Sequence, residues 1–153
     1  MTQRHYLNLG KLLCAEHPDF AAQLTRQMAE NTPIFSAVSL LPKLLGFFCA
    51  HNDISPEMVI GKERGNLPKT EYKFLFIAVI VKLYSPESLG PAKTKLIGQL
   101  RDQLCIVLQT RGDRVSRITS NVRHYLRAYK EFAAKVEENY TSIILNQHDF
   151  KED

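Results

Sequence analysis

The sequence has no tryptophan and only three cysteines, and its 7 glycines and 7 prolines are spread through 153 residues. Each scarcity removes a class. Cys14, Cys49 and Cys105 are odd in number and far apart, which excludes the disulfide framework that staples small secreted domains and implies a reducing compartment. Without dense or periodic Gly and Pro the chain is neither collagenous nor of low complexity. With 44% apolar and 24% charged residues it carries enough hydrophobic surface for a folded core. Apolar runs are short as well. Ile34 to Ala50 is interrupted by Pro42 and Lys43, and Phe74 to Val81 is bounded by Lys73 and Lys82, against the roughly 20 residues that a membrane helix needs. The N-terminus, Met1 to Leu7, lacks the apolar stretch and the small-residue cleavage site of a secretion signal, so a cytoplasmic protein is expected.

Signatures of catalysis are also missing. There is no Gly-x-Ser-x-Gly elbow, no His-Glu-x-x-His pair and no phosphate-cradling loop, since Gly61-Lys62 lacks the preceding strand and the spaced glycine. His5, His17, His51, His124 and His148 are scattered, without a nucleophile or carboxylate at a suggestive spacing, so no enzymatic activity and no cofactor are expected. Cys14 with His17 and Cys49 with His51 offer the ligand types that zinc prefers, but their spacing matches no finger or knuckle, and no metal site is assigned. Asn139-Tyr140-Thr141 is a glycosylation sequon by its letters only.

What the chain does have is an uneven charge distribution. Its formal net charge of +4 is mild. Residues 91–130, however, hold 9 Lys and Arg against 2 acids, and residues 131–153 hold 2 against 6, so a block of +7 stands beside a tail of −4. Such asymmetry points to an anionic partner. The competing explanation is a solvated helix face balanced by the chain's own C-terminal acids.

Apolar residues recur at helical spacing throughout. Tyr6, Leu7, Leu9, Leu12 and Leu13 form one helix, up to His17-Pro18, and Phe20, Leu24 and Met28 form a shorter second one. Ile34 to Cys49 reads as a buried helix bent at Pro42. Ser55-Pro56-Glu57 opens a short helix through Ile60, and Gly61 to Pro68 is the clearest loop. Thr70 to Tyr84 contains eight consecutive apolar residues, a length of strand by themselves. The whole segment is long for a strand and has no partner strands, so a central core helix is expected. Leu96, Ile97, Leu100, Leu104, Val107 and Leu108 mark an amphipathic helix that begins near Lys93 and stops at Thr110 to Asp113. From Val115 to Ile143 a single apolar stripe runs without Gly or Pro and predicts one long last helix. The expected fold is all-α, a helical bundle of about six to seven helices with a helix-turn-helix-like C-terminal unit. It would form one domain, subdivided into an N-terminal helical part over residues 1–60 and a C-terminal unit over residues 69–147.

A helix-turn-helix needs an aliphatic and then a small residue in its first helix, so that the second can cross closely, then a short turn, and apolar seats in the second helix. Leu104 and Leu108 fit the first-helix core, Cys105 the small crossing residue, and Val115 and Ile118 the seats. Residues 101–123 thereby resemble helix-turn-helix DNA-binding regulators, and Val115-Ser116-Arg117 resembles the start of the recognition helix in the repressor type. One departure is plain: the turn position that is usually glycine falls on Gln109, and Gly112 comes later.

At about 100° per residue, Ser116, Arg117, Ser120, Arg123, His124, Arg127 and Lys130 fall opposite the stripe, with no acid before Glu131. A merely solvated helix interleaves both signs. Guanidinium groups give phosphate contacts and are the commonest readers of guanine edges, and Ser116, Thr119, Ser120 and Asn121 add short hydrogen-bonding side chains. The expected function is non-catalytic, sequence-specific binding of duplex DNA. Arg114, Arg117, Asn121 and Arg123 would approach the groove, and Lys93, Lys95, Arg101, Arg111, Arg127 and Lys130 the phosphates. The stripe beyond Phe132 would pack on the N-terminal helices or form a homodimer interface suited to a palindromic site. The alternative is a helical interaction module whose basic face binds an acidic protein.

Overall fold

A helix with apolar side chains on every side has to be wrapped by the rest of the chain, and Leu67–Tyr84 is such a helix. From Phe74 through Val81 no side chain is more than 5% exposed. The structure, a computed structural model, describes residues 3–23, 32–61, 67–90, 95, 96 and 98–150. It is an all-α bundle, and no strand occurs among the described residues. Two compact units are present, Met1–Thr32 and Pro33–Asp153. Residues 33–60, grouped in the sequence reading with the N-terminal part, therefore fold within the larger unit.

The smaller unit contains α1 (Gln3–Glu16) and a second helical segment over residues 18–23, with Pro18 as its first residue. Leu24 and Met28 lie outside the described residues.

The larger unit consists of α2 (Leu41–His51), α3 (Leu67–Tyr84), α4 (Gly98–Leu108), α5 (Gly112–Ala128) and α6 (Lys130–Leu145), with short 3₁₀ turns at Val38–Leu40, Pro56–Met58, Pro86–Leu89 and Gln147–Phe150. Both α5 and α6 pack along α3, α4 packs on α5, and α2 touches α4 and α6. One core runs through all of them, from Leu41, Leu44 and Phe48 through α3 to Leu104, Leu108, Val115, Ile118, Val122, Val136 and Ile143. Among the described residues no helix is long and apolar enough to cross a membrane.

Three expectations are corrected. The helix expected from Ile34 starts only at Leu41, and Pro42 sits in its first turn instead of bending it. Proline is at home there, where its missing N–H has no helical partner to lose. The helix expected at Pro56 is a single 3₁₀ turn, Pro56–Met58. The last helix is two helices. Tyr129 is extended (φ −122°, ψ 105°) and serves both as the end of α5 and as the start of α6. Hydrogen bonding continues through the bend, with Tyr129 N–H donating to the Tyr125 carbonyl at 2.9 Å and Ala133 N–H to the Tyr129 carbonyl at 3.1 Å. The physical reason is the neighbours: α5 packs on α3 and α4, α6 on α3 and α2, and a straight rod would not follow both. The stripe beyond Phe132 is consumed inside the chain, because Val136 and Ile143 are buried in its own core. Asn139 of the sequon is buried too. It accepts a hydrogen bond from Asn52 Nδ2 at 2.8 Å and donates to the Lys135 carbonyl at 2.8 Å.

The cysteines occupy three environments: Cys14 exposed, Cys105 half-buried and Cys49 buried. Burial pushes the Cys49 thiol upward, with a smaller push from Glu57. Burial also raises Cys105, and the nearby Arg101 partly opposes it. The thiolate is the reactive form, so ordered reactivity is expected. Timed alkylation at pH 8 followed by mass spectrometry should label Cys14 first, Cys105 later and Cys49 only on unfolding. Equal rates at Cys14 and Cys49 would contradict this packing.

Candidate nucleic-acid interface

The candidate face is built from the α4–α5 pair, whose geometry is fixed at the turn between them. Residue 109 closes α4 in a left-handed conformation (φ 52°) although it is glutamine. Thr110 N–H donates back to the Cys105 carbonyl at 3.0 Å and Gln109 N–H to the Ile106 carbonyl at 3.4 Å, the paired bonds of a Schellman end. Thr110 Oγ1 donates to the Leu108 carbonyl at 3.1 Å. Lys73, fully buried in α3, reaches this turn. Its Nζ donates to Thr110 Oγ1 at 3.2 Å and to the Gly61 carbonyl, while Gly61 N–H donates to the Leu108 carbonyl at 2.8 Å. The turn is thus tied to the central helix by a side chain that must find oxygens because it is buried.

On either side of the turn Leu104, Leu108, Val115 and Ile118 are fully buried. Cys105 lies where the two helices approach: a carbon added to Gly112 would stand 3.7 Å from its Sγ and 3.7 Å from the Arg101 guanidinium. Seating α5 this way turns its opposite face outward, and Ser116, Arg117, Ser120, His124 and Arg127 are exposed there.

Between the start of α4 and this face lies an open cleft of about 640 Å³, lined by Lys95, Arg101 and Arg123 together with Leu96, Gly98 and the hydroxyl residues Ser116, Thr119 and Ser120. No carboxylate is among its lining residues. Three cations around one cleft repel one another, and an anion entering it would relieve that repulsion.

The site residues expected from the sequence fall into three groups. Lys95, Arg101, Arg117, Arg127 and Lys130 are exposed, and among the described residues they take part in no ion pair. Arg111 is 87% exposed, with its Nε 3.3 Å from Asp113, a surface pair of little weight. Arg114, Asn121 and Arg123 are half-buried. Arg114 lies over the Phe74 ring at 6.0 Å, and Arg123 Nε donates to the Ser88 carbonyl. Lys93 lies outside the described residues. Thr119, expected to offer its hydroxyl to a ligand, is 3% exposed and donates it to the Val115 carbonyl at 2.9 Å, so it belongs to the helix backbone. Nothing in the sequence marked Ser88, because a backbone carbonyl acceptor leaves no side-chain signal.

Three of the tail's acids are engaged elsewhere. Glu137 pairs with Lys82, Glu138 with His51 Nε2 at 3.3 Å, and Asp149 with His148 Nε2 at 3.2 Å. Lys135 turns away from the tail to Glu71 at 2.9 Å, and that hydrogen bond raises the lysine's pKa. His51 also faces Ser142, with Nδ1 3.4 Å from Oγ. Among the described residues no three His, Cys, Asp or Glu side chains gather into a set that would hold a metal ion.

Gln109 gives a direct measure of the turn. A side chain in the left-handed region costs about 1–2 kcal/mol, and glycine gives back part of that through greater freedom in the unfolded chain. Replacing Gln109→Gly should raise the unfolding free energy by about 0.5–1 kcal/mol in urea titration. A loss of stability would mean that residue 109 is not left-handed. In comparisons with known proteins, no family model, no curated protein and no solved structure matches this chain.

Proposed function

We propose that the protein is a small non-catalytic DNA-binding regulator in which α4, the turn at residues 109–111 and α5 act as a helix-turn-helix, with α5 as the recognition helix. Its 17 residues span about 25 Å, and a major groove about 12 Å wide admits such a helix. Arg117 and Asn121 lie on the side that would meet base edges. Lys95, Arg101, Arg127 and Lys130 would neutralise phosphates on either side, and Arg123, held by the Ser88 carbonyl, lines the cleft between them.

The observation that carries this reading is the disposition of the tail. Glu137 and Glu138 are committed to Lys82 and His51, and among the described residues Lys95, Arg101, Arg117, Arg127 and Lys130 enter no ion pair. A basic face serving only to balance the chain's own acids would be paired with them. Two copies on a palindromic site are the natural extension, and the stoichiometry of the complex measures it.

A salt titration with duplex DNA tests the proposal. The four exposed cations assigned to phosphates correspond to a slope of about −3 to −4 in log K against log salt. Arg117→Glu should weaken binding about tenfold or more and flatten that slope by at least about one unit. Absence of binding to duplex DNA at about 50 mM salt would end this reading. Equal affinity for an acidic polypeptide such as polyglutamate would favour a protein-interaction module instead.

A further inference from the structure

The outward face of α5 has two unlike flanks. One borders the cationic cleft; the other borders a row of rings. Phe74 stacks on Tyr125 with centroids 5.5 Å apart, Tyr125 meets Tyr129 at 5.4 Å, and His124 meets Tyr129 almost perpendicularly at 6.4 Å. This row begins in the core, where Phe74 is 5% exposed, and ends in solvent, where Tyr129 is 54% exposed. The apolar stripe predicts Tyr129 to be buried; the bend between α5 and α6 turns it out.

An isolated exposed ring needs no explanation. Tyr129 is not isolated. Two ring contacts hold it, so little side-chain freedom is left to lose on binding, and its neighbours Arg127 and Lys130 are both exposed. Position matters as well. Tyr129 lies twelve residues beyond Arg117, about 18 Å along the helix axis and just past the end of α5, well away from the bases that Arg117 would meet. Duplex bases are stacked on one another and offer edges, whereas only an unpaired base offers a ring face.

We propose that Tyr129, buttressed by Tyr125 and His124, is a stacking platform for an unpaired base, and that the preferred ligand is a nucleic acid in which a single strand continues from a duplex. Arg127 and Lys130 flank the platform and supply the charge for the phosphates of that strand. This inference rests on the nucleic-acid reading of α5 and adds to it the class of ligand.

The full chain is titrated with a blunt duplex and with the same duplex carrying a short unpaired adenine tail. The tail should tighten binding about 5- to 150-fold, the range for a base stacked on one aromatic ring. Tyr129→Ala and Tyr129→Leu should abolish that gain and leave blunt-duplex affinity unchanged, and Tyr129→Phe should keep it. Leucine preserves apolar contact at the bend, so loss of the gain in Tyr129→Leu with an unaltered helical spectrum separates stacking from folding. Because the chain has no tryptophan, binding of the tail is also read as quenching of tyrosine emission. If the tail adds nothing, or if Tyr129→Leu keeps its gain, the platform is overturned while blunt-duplex binding leaves the recognition helix standing. If neither ligand binds at low salt, both readings fall.

Discussion

Everything in the larger unit answers to the burial of α3 and of the one ammonium inside it. Eight consecutive residues, Phe74 to Val81, have no polar side and cannot face water, so α5, α6 and the flanking turns have to close around them. Lys73 stands at the edge of that run and is itself fully buried. A buried charge without partners would cost several kcal/mol or more, and this one is met by the Gly61 carbonyl and Thr110 Oγ1. Those two oxygens belong to the segment before α3 and to the turn between α4 and α5. Satisfying one side chain therefore locks the connection on which the candidate face depends.

From that connection the face follows by geometry. With Leu104 and Leu108 below and Val115, Ile118 and Val122 seated on them, a helix of period 3.6 has no choice about what points outward. Charge then separates along the chain: α6 carries Glu137 and Glu138 to Lys82 and His51, and α5 carries cations with a carboxylate only in its first turn, at Asp113. Packing and electrostatics are separate causes here, and both are needed. A different seat for Ile118 would bury the arginines against the core. A different path for α6 would bring the acids beside them.

The helices that bury a stripe were legible in the sequence because burial at helical spacing leaves a periodic trace. Thus the central helix, the α4–α5 pair and its seats at Leu104, Leu108, Val115 and Ile118 could be read directly. The bend at Tyr129 could not be, because no Gly or Pro accompanies it and its cause is the different neighbours of α5 and α6, which are distant in sequence. Gln109 shows the same limit at one residue. Glycine usually marks a left-handed helix end, and here the surrounding bonds from Thr110 and Lys73 impose that conformation on a glutamine. Asp53 repeats the pattern at the end of α2, with φ 54° and Ile54 N–H donating to the Cys49 carbonyl at 3.0 Å. Helical phase put Arg117, Arg127 and Lys130 on the exposed side. It could not foresee that Thr119 would spend its hydroxyl on Val115 or that Arg123 would reach Ser88.

The cations of α5 consequently divide by mobility, and that division bears on recognition. Arg114 lies against a ring and Arg123 bonds a carbonyl, so both guanidiniums are already ordered before any ligand arrives. Ordering a long side chain costs about 0.5–1.5 kcal/mol at an interface, and a pre-placed group avoids that cost. Arg117 is exposed and keeps its reach. A rigid donor suits a ligand feature that always occupies one place, such as a phosphate entering the cleft beside Arg101 and Arg123. A mobile one suits a feature whose position varies with sequence, such as a base edge. Under the proposed reading, the cleft would set where α5 lies along a strand, and Arg117 would respond to the base edges it meets there.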